Sequence, residues 1–229
     1  MPVPSIDFKT ESDYEKIVRD SLKHLQTDYI DLYLLHWPGS SNNEVEGHIN
    51  NKYFFQGVYG LSNRSKEVIR YRHEAWRAFT KFHKAGLIRS IGVSNFLIKH
   101  LEDMKRECEV IPALNQVEWH PKCHDLQLQE YCKSNHILLQ AYSSLGTSSD
   151  TTLREDPTVK KIAKSLNKST SQVLLRWANK NGVAIIPKAS SKKHLEENIN
   201  LNFEIPENKM KILDNIENER FDWNPHDVI

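Results

Sequence analysis

The chain has 229 residues, and its 31 basic and 30 acidic side chains give a formal charge of +1. This balance, without a long run of like charge, disfavours a nucleic acid or an anionic membrane as a partner. The length suits a single α/β domain over residues 1–229, but it falls short of the roughly 250 residues that a complete (β/α)8 barrel uses.

The first predicted element is a helix, for which Ser12 and Glu15 form a capping-box pattern. Its apolar face repeats every three or four residues and consists of Tyr14, Ile17, Val18, Leu22 and Leu25. A buried strand is predicted next, over Ile30–Trp37 (IDLYLLHW), because the run is short, apolar and bounded by polar residues.

A long polar connection, Gly39–Ser65, follows this strand, and long loops of this kind are usually functional or disordered. It contains four aromatic residues, Tyr53, Phe54, Phe55 and Tyr59. Contact with a substrate and packing within the loop are equally compatible with these aromatic residues.

A helix through His73–Lys84 is predicted to stop at Gly86, which is a favourable residue beyond a helix end. Three further strands are predicted over Ser90–Asn95, Ala113–Trp119 and Ile137–Leu145. The large aromatic Trp119 is expected to pack in the interior.

Asp156 and Pro157 open a helix that runs through Ala163, since proline suits the first helical turn. Ser169 and Gln172 cap the next helix, which continues through Trp177, also expected to be buried, and ends near Asn181 and Gly182. A fifth strand, Val183–Ser190, leads into the helix start SSKKHLEEN, and a last helix is predicted over Glu207–Ile216.

The alternation of strands and helices indicates parallel strands with right-handed crossovers, as in a doubly wound sheet or a barrel. No glycine-rich dinucleotide fingerprint follows any of the five strands, which disfavours the doubly wound alternative.

The cysteines and the N-terminus indicate a cytoplasmic protein. Cys108, Cys123 and Cys132 are odd in number and not closely paired, which disfavours a disulfide framework. Cys123 and His124 lack a second ligand pair at zinc-like spacing, so no metal site is predicted. MPVPSIDFKTES has no signal-peptide core, and no stretch is long and apolar enough to span a bilayer.

Polar or aromatic residues stand at the exits of all five predicted strands. They are His36 and Trp37, Ser94 and Asn95, Gln116, Tyr142 and Ser143, and Lys188 and Ser190. In a barrel enzyme the chemistry gathers at the carboxyl ends of the strands, so these residues predict one ring of site residues.

The five strand motifs resemble, in order and spacing, those of the aldo-keto reductase family. They are DLYLLHWP (31–38), GVSNF (92–96), NQVEWHP (115–121), AYSSLG (141–146) and IPKASS (186–191). The resemblance covers nearly the whole chain and implies a (β/α)8 barrel of TIM type. It also implies an oxidoreductase that transfers hydride between NADPH and a small aldehyde or ketone, acting as a monomer.

The resemblance also implies a role for each strand-end residue. His36 hydrogen-bonds the substrate carbonyl, and Trp37 lines the substrate pocket. Ser94, Asn95 and Gln116 hold the nicotinamide carboxamide, and Tyr142 stacks on the nicotinamide ring. The loop over the pyrophosphate begins with Ser143, Leu145 and Thr147.

At the fifth strand, the resemblance implies a site for the adenosine 2′-phosphate. The implied contacts are Lys188, Ser190 and His194, with Glu197 and Asn198 facing the adenine. Many family members have arginine where this chain has His194, and histidine cannot clamp a phosphate with two parallel hydrogen bonds. Use of NADH beside NADPH is therefore expected to be possible.

The family's proton donor is a tyrosine accompanied by an aspartate and a lysine from earlier strands, and residues 1–11 are too few to hold those strands. The chain is therefore expected to be an N-terminally truncated member, an incomplete barrel of about the last five strands with their helices. Loss of a positioned acid costs roughly 10²–10⁴-fold in rate, so weak or absent activity is expected. A non-catalytic nicotinamide-nucleotide-binding protein and a structural protein stay open as alternatives.

Overall fold

A computed structural model of the chain describes residues 11–39, 64–147, 151–222 and 224–227. The chain divides into two compact units: Met1–Asn115 with Asn135–Ile137 and Asn224–Ile229, and Gln116–Ser134 with Leu138–Trp223.

The elements of the first unit are α1 (Glu11–Leu25), β1 (Ile30–Leu35), α2 (Arg64–Lys84), β2 (Ile88–Ser94), α3 (Ile98–Glu107) and a 3-10 helix (Pro225–Asp227). Strand β3 (Leu114–Glu118) begins in the first unit and continues into the second. The second unit also contains α4 (Leu126–Ser134), β4 (Leu138–Tyr142), α5 (Thr152–Glu155), α6 (Pro157–Leu166), α7 (Thr170–Lys180), β5 (Ala184–Ile185), α8 (Lys192–Ile199) and α9 (Glu207–Asp214).

The described strands form a sheet in the order β1-β2-β3-β4-β5, so the five predicted strands are confirmed. In the first unit β1 pairs with β2 in parallel, with Leu35 opposite Val93. In the second unit β4 pairs with β5 in parallel, with Gln140 opposite Ala184. This chain-order, helix-connected arrangement is that of a barrel-type α/β protein.

The core of the first unit forms where α1 and α2 cover β1. Tyr14 of α1 meets Phe79 of α2 edge-to-face, with ring centroids 6.0 Å apart, and Tyr33 of β1 meets the same ring at 5.3 Å. The predicted apolar face of α1 is buried except for Leu25, whose burial was expected but which is 44% exposed. Leu25 is the last helical residue, and the chain turns at Gln26 with a φ of 55°.

Close approach of two strands fixes one glycine in this unit. A Cβ built on Gly92 of β2 would lie 2.6 Å from Cδ2 of Leu34 and 2.8 Å from the carbonyl oxygen of Leu114. The second atom belongs to the backbone and cannot rotate away. Only glycine therefore fits between β1 and the start of β3.

The core of the second unit contains three aromatic rings in mutual contact. Trp119 and Trp177 are stacked with centroids 6.2 Å apart, and His124 meets both rings edge-on. The indole nitrogen of Trp177 donates to Oδ1 of Asp214 at 2.7 Å, which ties α7 to α9. The predicted burial of the two tryptophans is confirmed.

Two helix starts of this unit follow the predicted signals. Asp156 accepts hydrogen bonds from the backbone N–H groups of Thr158 and Val159 at the start of α6. Ser169 and Gln172 form both bonds of a capping box at the start of α7.

Several predicted boundaries were wrong, among them those of α1, α2 and β5, and β4 ends at Tyr142 rather than at Leu145. Ser12 does not cap α1, because the helix already includes Glu11 and a cap residue needs a non-helical backbone. Helix α2 begins at Arg64 rather than near His73. Strand β5 ends at Ile185, because Pro187 has no N–H for the ladder and is poorly tolerated in a strand.

The predicted connection Gly39–Ser65 lies almost entirely outside the described residues, and so do its aromatic residues Tyr53, Phe54, Phe55 and Tyr59. Within the described ranges, no helix has both the length and the apolar character needed to cross a bilayer.

The three cysteines are free thiols. Burial raises the pKa of Cys108 and of Cys123 to about 11, so both thiols stay protonated at neutral pH. Protonated thiols are poor nucleophiles, and this gives neither residue a catalytic character.

Candidate functional site

In the first unit, the carboxyl ends of β1 and β2 bring three predicted site residues together. His36 follows β1, Ser94 ends β2, and Asn95 comes next. The side-chain amide of Asn95 donates to the carbonyl oxygen of His36 at 3.1 Å and to Oγ of Ser94 at 3.2 Å. Because parallel neighbours end at the same edge, the two strand ends share one hydrogen-bond network.

Asn95 has a left-handed backbone, with a φ of 63°, a region that asparagine tolerates better than most residues. Asn115 of β3 holds the turn that follows: its Nδ2 donates to the carbonyl oxygen of Phe96 at 2.8 Å, and its Oδ1 accepts from the N–H of Phe96 at 3.4 Å. Asn115 is fully buried. Sequence reasoning gave Asn115 no role, so its two hydrogen bonds to the turn after β2 were missed.

Trp37 lies beside His36, with ring centroids 6.2 Å apart and the planes at 65°. The indole is 7% exposed, whereas His36 is half-buried. Of the two residues predicted to meet a substrate, His36 is thus the more accessible in the described part of the chain.

In the second unit, Gln116 and Tyr142 stand on β3 and β4. Nε2 of Gln116 donates to Oε1 of Gln140 at 2.7 Å, and the backbone N–H of Trp119 donates to the carbonyl oxygen of Tyr142 at 3.3 Å. Gln140 and Tyr142 are two residues apart and so point to the same face of β4, where both are half-buried. This face presents an amide pair beside an aromatic ring.

The hydroxyl of Tyr142 is a weak acid. Burial raises the pKa of Tyr142, and the negative charges of Asp222 and Glu118 raise it further. The group stays protonated at neutral pH and gives up its proton reluctantly, which suits a stacking ring better than a proton donor.

A tight turn follows β4. Ser143 has a φ of 51°, and its carbonyl oxygen accepts from the N–H of Gly146 at 2.8 Å. Leu145 and Thr147, the other residues predicted to begin the pyrophosphate loop, are half-buried in this segment.

The predicted phosphate residues lie in the connection from β5 to α8 and on α8 itself. Lys188, Ser190 and His194 are exposed, and Ser191 caps the helix by accepting from the N–H of His194 at 3.2 Å. The predicted adenine contacts Glu197 and Asn198 are half-buried. The start of α8 therefore presents free backbone N–H groups and basic side chains to solvent.

The paired lysines that open α8 are solvated. Lys192 lies 3.8 Å from Glu196, and Lys193 lies 3.9 Å from Glu197, each across one helical turn. Their side chains are 90% and 81% exposed, so both are hydrated at the helix surface.

Sequence reasoning missed a buried carboxylate at the end of β3. The side chain of Glu118 is fully buried and accepts from Nε2 of His120 at 3.0 Å, Nη1 of Arg220 at 2.9 Å and the N–H of Phe221 at 2.7 Å. Burial alone would raise the pKa of Glu118, but the hydrogen bonds from His120 and Phe221 and the charge of Arg220 outweigh it and lower the pKa. Its presence in the motif NQVEWHP was the available signal, because a charged residue in an otherwise buried strand needs partners.

Burial lowers the pKa of His120, and the hydrogen bond to Glu118 opposes this only in part. His120 is therefore neutral at pH 7 and donates through Nε2 to the ionised Glu118. The ring also packs on Phe221, with centroids 4.9 Å apart.

The parallel, helix-connected strands define an α/β protein, and each unit carries polar residues at the carboxyl ends of its strands. The family model described as "Aldo/keto reductase family" matches residues 3–218, and the chain belongs to this family. The resemblance predicted from the five motifs is thereby confirmed.

Relatives agree in sequence and in structure. The chain is 36% identical over 211 residues to glyoxal reductase of Bacillus subtilis (strain 168), covering 91% of this chain and 65% of the relative. An aldo/keto reductase structure from Brucella melitensis matches with a TM-score of 0.72 and 33% identity, over 90% of this chain and 68% of that chain. An aldo-keto reductase solved with NADPH matches with a TM-score of 0.76 and 29% identity, over 94% and 62% respectively.

These structural relatives are (β/α)8 barrels, so the predicted fold class is confirmed. The chain spans less than two thirds of the length of the first curated relatives: 65% of glyoxal reductase and 58% of an uncharacterized Bacillus subtilis oxidoreductase.

Proposed function

We propose that this protein is an NADPH-dependent oxidoreductase of aldo-keto reductase type that interconverts a small aldehyde or ketone and its alcohol. The observation that carries the proposal is the face of the second unit on which the carboxamide of Gln116 and the ring of Tyr142 stand, both half-buried. Family membership and the NADPH complex of a relative support it.

The residues present suit a nicotinamide. A side-chain amide offers both a donor and an acceptor to the cofactor's carboxamide, and an aromatic ring can stack on the nicotinamide ring. In the first unit, Ser94 and Asn95 add a hydroxyl and a second amide at a strand end. When bound, NADPH supplies the hydride for the carbonyl carbon.

His36 is proposed to orient the substrate. It is half-buried at the end of β1, where a neutral imidazole can donate a hydrogen bond to a carbonyl oxygen. Trp37 is proposed as a wall of the substrate pocket. The glyoxal reductase relative supports small aldehydes as the first substrates to test.

The start of α8 is proposed to take the adenosine 2′-phosphate. Free N–H groups at a helix start attract anions; Lys188 and Ser190 precede this one in the chain, and His194 lies in its first turn. Glu197 and Asn198 would meet the adenine, and Ser143, Leu145 and Thr147 would begin the loop over the pyrophosphate. Because His194 cannot form a bidentate clamp, we propose that NADH binds as well, though less tightly.

A second candidate function is nicotinamide-nucleotide binding without catalysis. The observation that favours it is that the described residues include the proposed cofactor contacts, which are Ser94, Asn95, Gln116, Tyr142 and Lys188. Tyr142, whose pKa is raised by burial, is a poor substitute for a proton donor. Both candidate functions require the same cofactor-binding residues, and they differ in whether substrate is turned over. For either, we propose a monomer in the cytoplasm, and the free thiols of the cysteines support the reducing compartment.

NADPH titration, followed by quenching of tryptophan fluorescence in protein shown to be folded by circular dichroism, tests the proposal. Micromolar binding, with weaker binding of NADH, is expected. Consumption of NADPH with a small aldehyde then separates the two candidates: turnover supports the reductase, and binding without turnover supports the second candidate. Folded protein that binds neither nucleotide contradicts both.

A further inference from the structure

The hydrogen bond between Gln116 and Gln140 links the proposed nicotinamide contact to a residue with no assigned role. Nε2 of Gln116 on β3 lies 2.7 Å from Oε1 of Gln140 on β4. Both side chains are half-buried, while Leu139 and Ala141 point to the opposite, buried face of β4. The pair therefore stands on the same face as Tyr142.

A glutamine carboxamide has two ends of nearly equal shape, one that donates and one that accepts, and its last torsion is soft. A neighbour that accepts from the nitrogen selects one of the two orientations. Gln140 does this for Gln116, so the Nε2 end of Gln116 points toward β4 and the Oε1 end points away from it. On β5 the residue opposite Gln140 is Ala184, which has only a methyl group to offer.

We propose that Gln140 is a positioning residue that holds the Gln116 carboxamide in the orientation needed to bind the carboxamide of the nicotinamide. This inference rests on the proposed function. Gln140 acts through Gln116 and has no contact of its own with the reacting atoms. Its effect is confined to ligands that carry a nicotinamide.

Two nucleotides distinguish positioning from a general structural role. NADPH has the nicotinamide, whereas 2′,5′-ADP has the adenosine phosphate end alone. Gln140→Met removes the acceptor with little change of volume, and Gln140→Leu repeats the test with a branched side chain. Gln140→Glu keeps an acceptor and removes the donor end, so it can hold Gln116 in one orientation only.

A matched control is available in the same unit. Nε2 of Gln129 on α4 donates to the carbonyl oxygen of Asn181 at 2.6 Å, away from the proposed platform. Gln129→Leu therefore removes one glutamine hydrogen bond of the same kind without touching Gln116. Dissociation constants of NADPH and 2′,5′-ADP and a thermal midpoint are measured for each protein.

The expected result is NADPH binding weakened by roughly 3- to 10-fold in Gln140→Met and Gln140→Leu, as for the loss of one hydrogen bond, with 2′,5′-ADP binding unchanged. Gln140→Glu and Gln129→Leu are expected to bind both nucleotides like the natural chain. Equal weakening of both nucleotides, or no weakening of either, overturns the positioning role while the proposed function stands. A natural chain that binds neither nucleotide overturns both.

Discussion

The buried carboxylate of Glu118 accepts a hydrogen bond from Nη1 of Arg220 at 2.9 Å, although 102 residues separate the two in sequence. The next residue, Phe221, donates its backbone N–H to the same carboxylate at 2.7 Å. Beside these contacts, Lys122 reaches Oε2 of Glu219 at 2.9 Å and its carbonyl oxygen accepts from the N–H of Glu219 at 2.7 Å. The segment 219–221 is thereby fixed along the chain that follows β3.

Replacing Glu118 by alanine should lower the free energy of unfolding by about 2 to 3 kcal/mol. This is somewhat less than the roughly 3 to 5 kcal/mol for breaking a fully buried pair, because Arg220 keeps 31% exposure and can be hydrated. Urea denaturation measures the change, and limited trypsin digestion should show faster cleavage after Arg220.

The control for Glu118 is Glu204→Gln, since Glu204 pairs with Arg176 at 2.8 Å but is 75% exposed. An exposed pair contributes little, so this variant should denature like the natural chain. Equal losses of unfolding free energy in the two variants would contradict the larger stabilisation expected from the buried Glu118.

Acid should destabilise the second unit in two steps. The pKa of folded His120 is lowered from its ordinary 6.5 by burial, so protons bind more strongly to the unfolded chain and stability falls as the pH drops below about 6.5. The pKa of Glu118 is also lowered, so its contribution is present above its ordinary 4.5 and is lost as the pH falls further.

Urea denaturation from about pH 8 to about pH 3 checks both acid steps, because this range includes the ordinary pKa values of histidine and glutamate. In His120→Asn the decline that starts near pH 6.5 should shrink, because asparagine cannot take up a proton. A His120→Asn curve parallel to that of the natural chain would assign the acid sensitivity to other groups.

The side chain and the backbone conformation of Asn95 should affect the free energy of unfolding separately. Asn95→Gly relieves the left-handed φ of 63° but loses the amide bonds to His36 and Ser94, whereas Asn95→Ala loses the bonds and keeps the strain. We expect a loss of about 2 to 3 kcal/mol for alanine and about 1 kcal/mol less for glycine, from hydrogen-bond and left-handed-region costs. Chemical denaturation of both variants measures the difference, and glycine at least as destabilising as alanine would disprove the strain component.

His194→Arg should raise the preference for NADPH over NADH. An arginine at the exposed start of α8 can meet a 2′-phosphate with two parallel hydrogen bonds, and an exposed pair of charges can contribute up to roughly 5-fold in affinity. The ratio of the two dissociation constants is the measurement.

Lys193→Arg is the matched control for His194, since it keeps the charge and the ion pair with Glu197 at 3.9 Å. The ratio of the NADH and NADPH dissociation constants in Lys193→Arg should equal that of the natural chain. If His194→Arg tightens NADH as much as NADPH, the 2′-phosphate lies elsewhere.

Local sequence signals predicted the structure correctly where a single side chain fixes the backbone next to it. Asp156 and the Ser169–Gln172 pair were recognisable as helix starts because their side chains satisfy backbone N–H groups in a fixed pattern. The strand positions followed from short apolar runs, and the strand-end residues His36, Ser94 and Asn95 from the places where those runs end.

The sequence did not predict features that depend on a partner residue far away in the chain. The first half of α2 was not predicted, and it contains Arg72, which is 2% exposed and lies 3.7 Å from Asp103 of α3. Glu118 was overlooked for the same reason, since its partner Arg220 comes much later in the chain. The Gln116–Gln140 bond depends on strand register, which no spacing along one strand reveals.

The close approach at Gly92 also limits how this chain can change over generations. Every single-base change that replaces a glycine codon with that of another amino acid introduces a Cβ, and a Cβ there meets the carbonyl oxygen of Leu114 at 2.8 Å. Ser90, two residues earlier on β2 and partly exposed, has no such restriction. In a library of all single substitutions selected for folded protein, no substitution at position 92 should therefore be recovered, whereas many should be recovered at position 90. Along β2, Gly92 should stay unchanged while neighbouring positions vary.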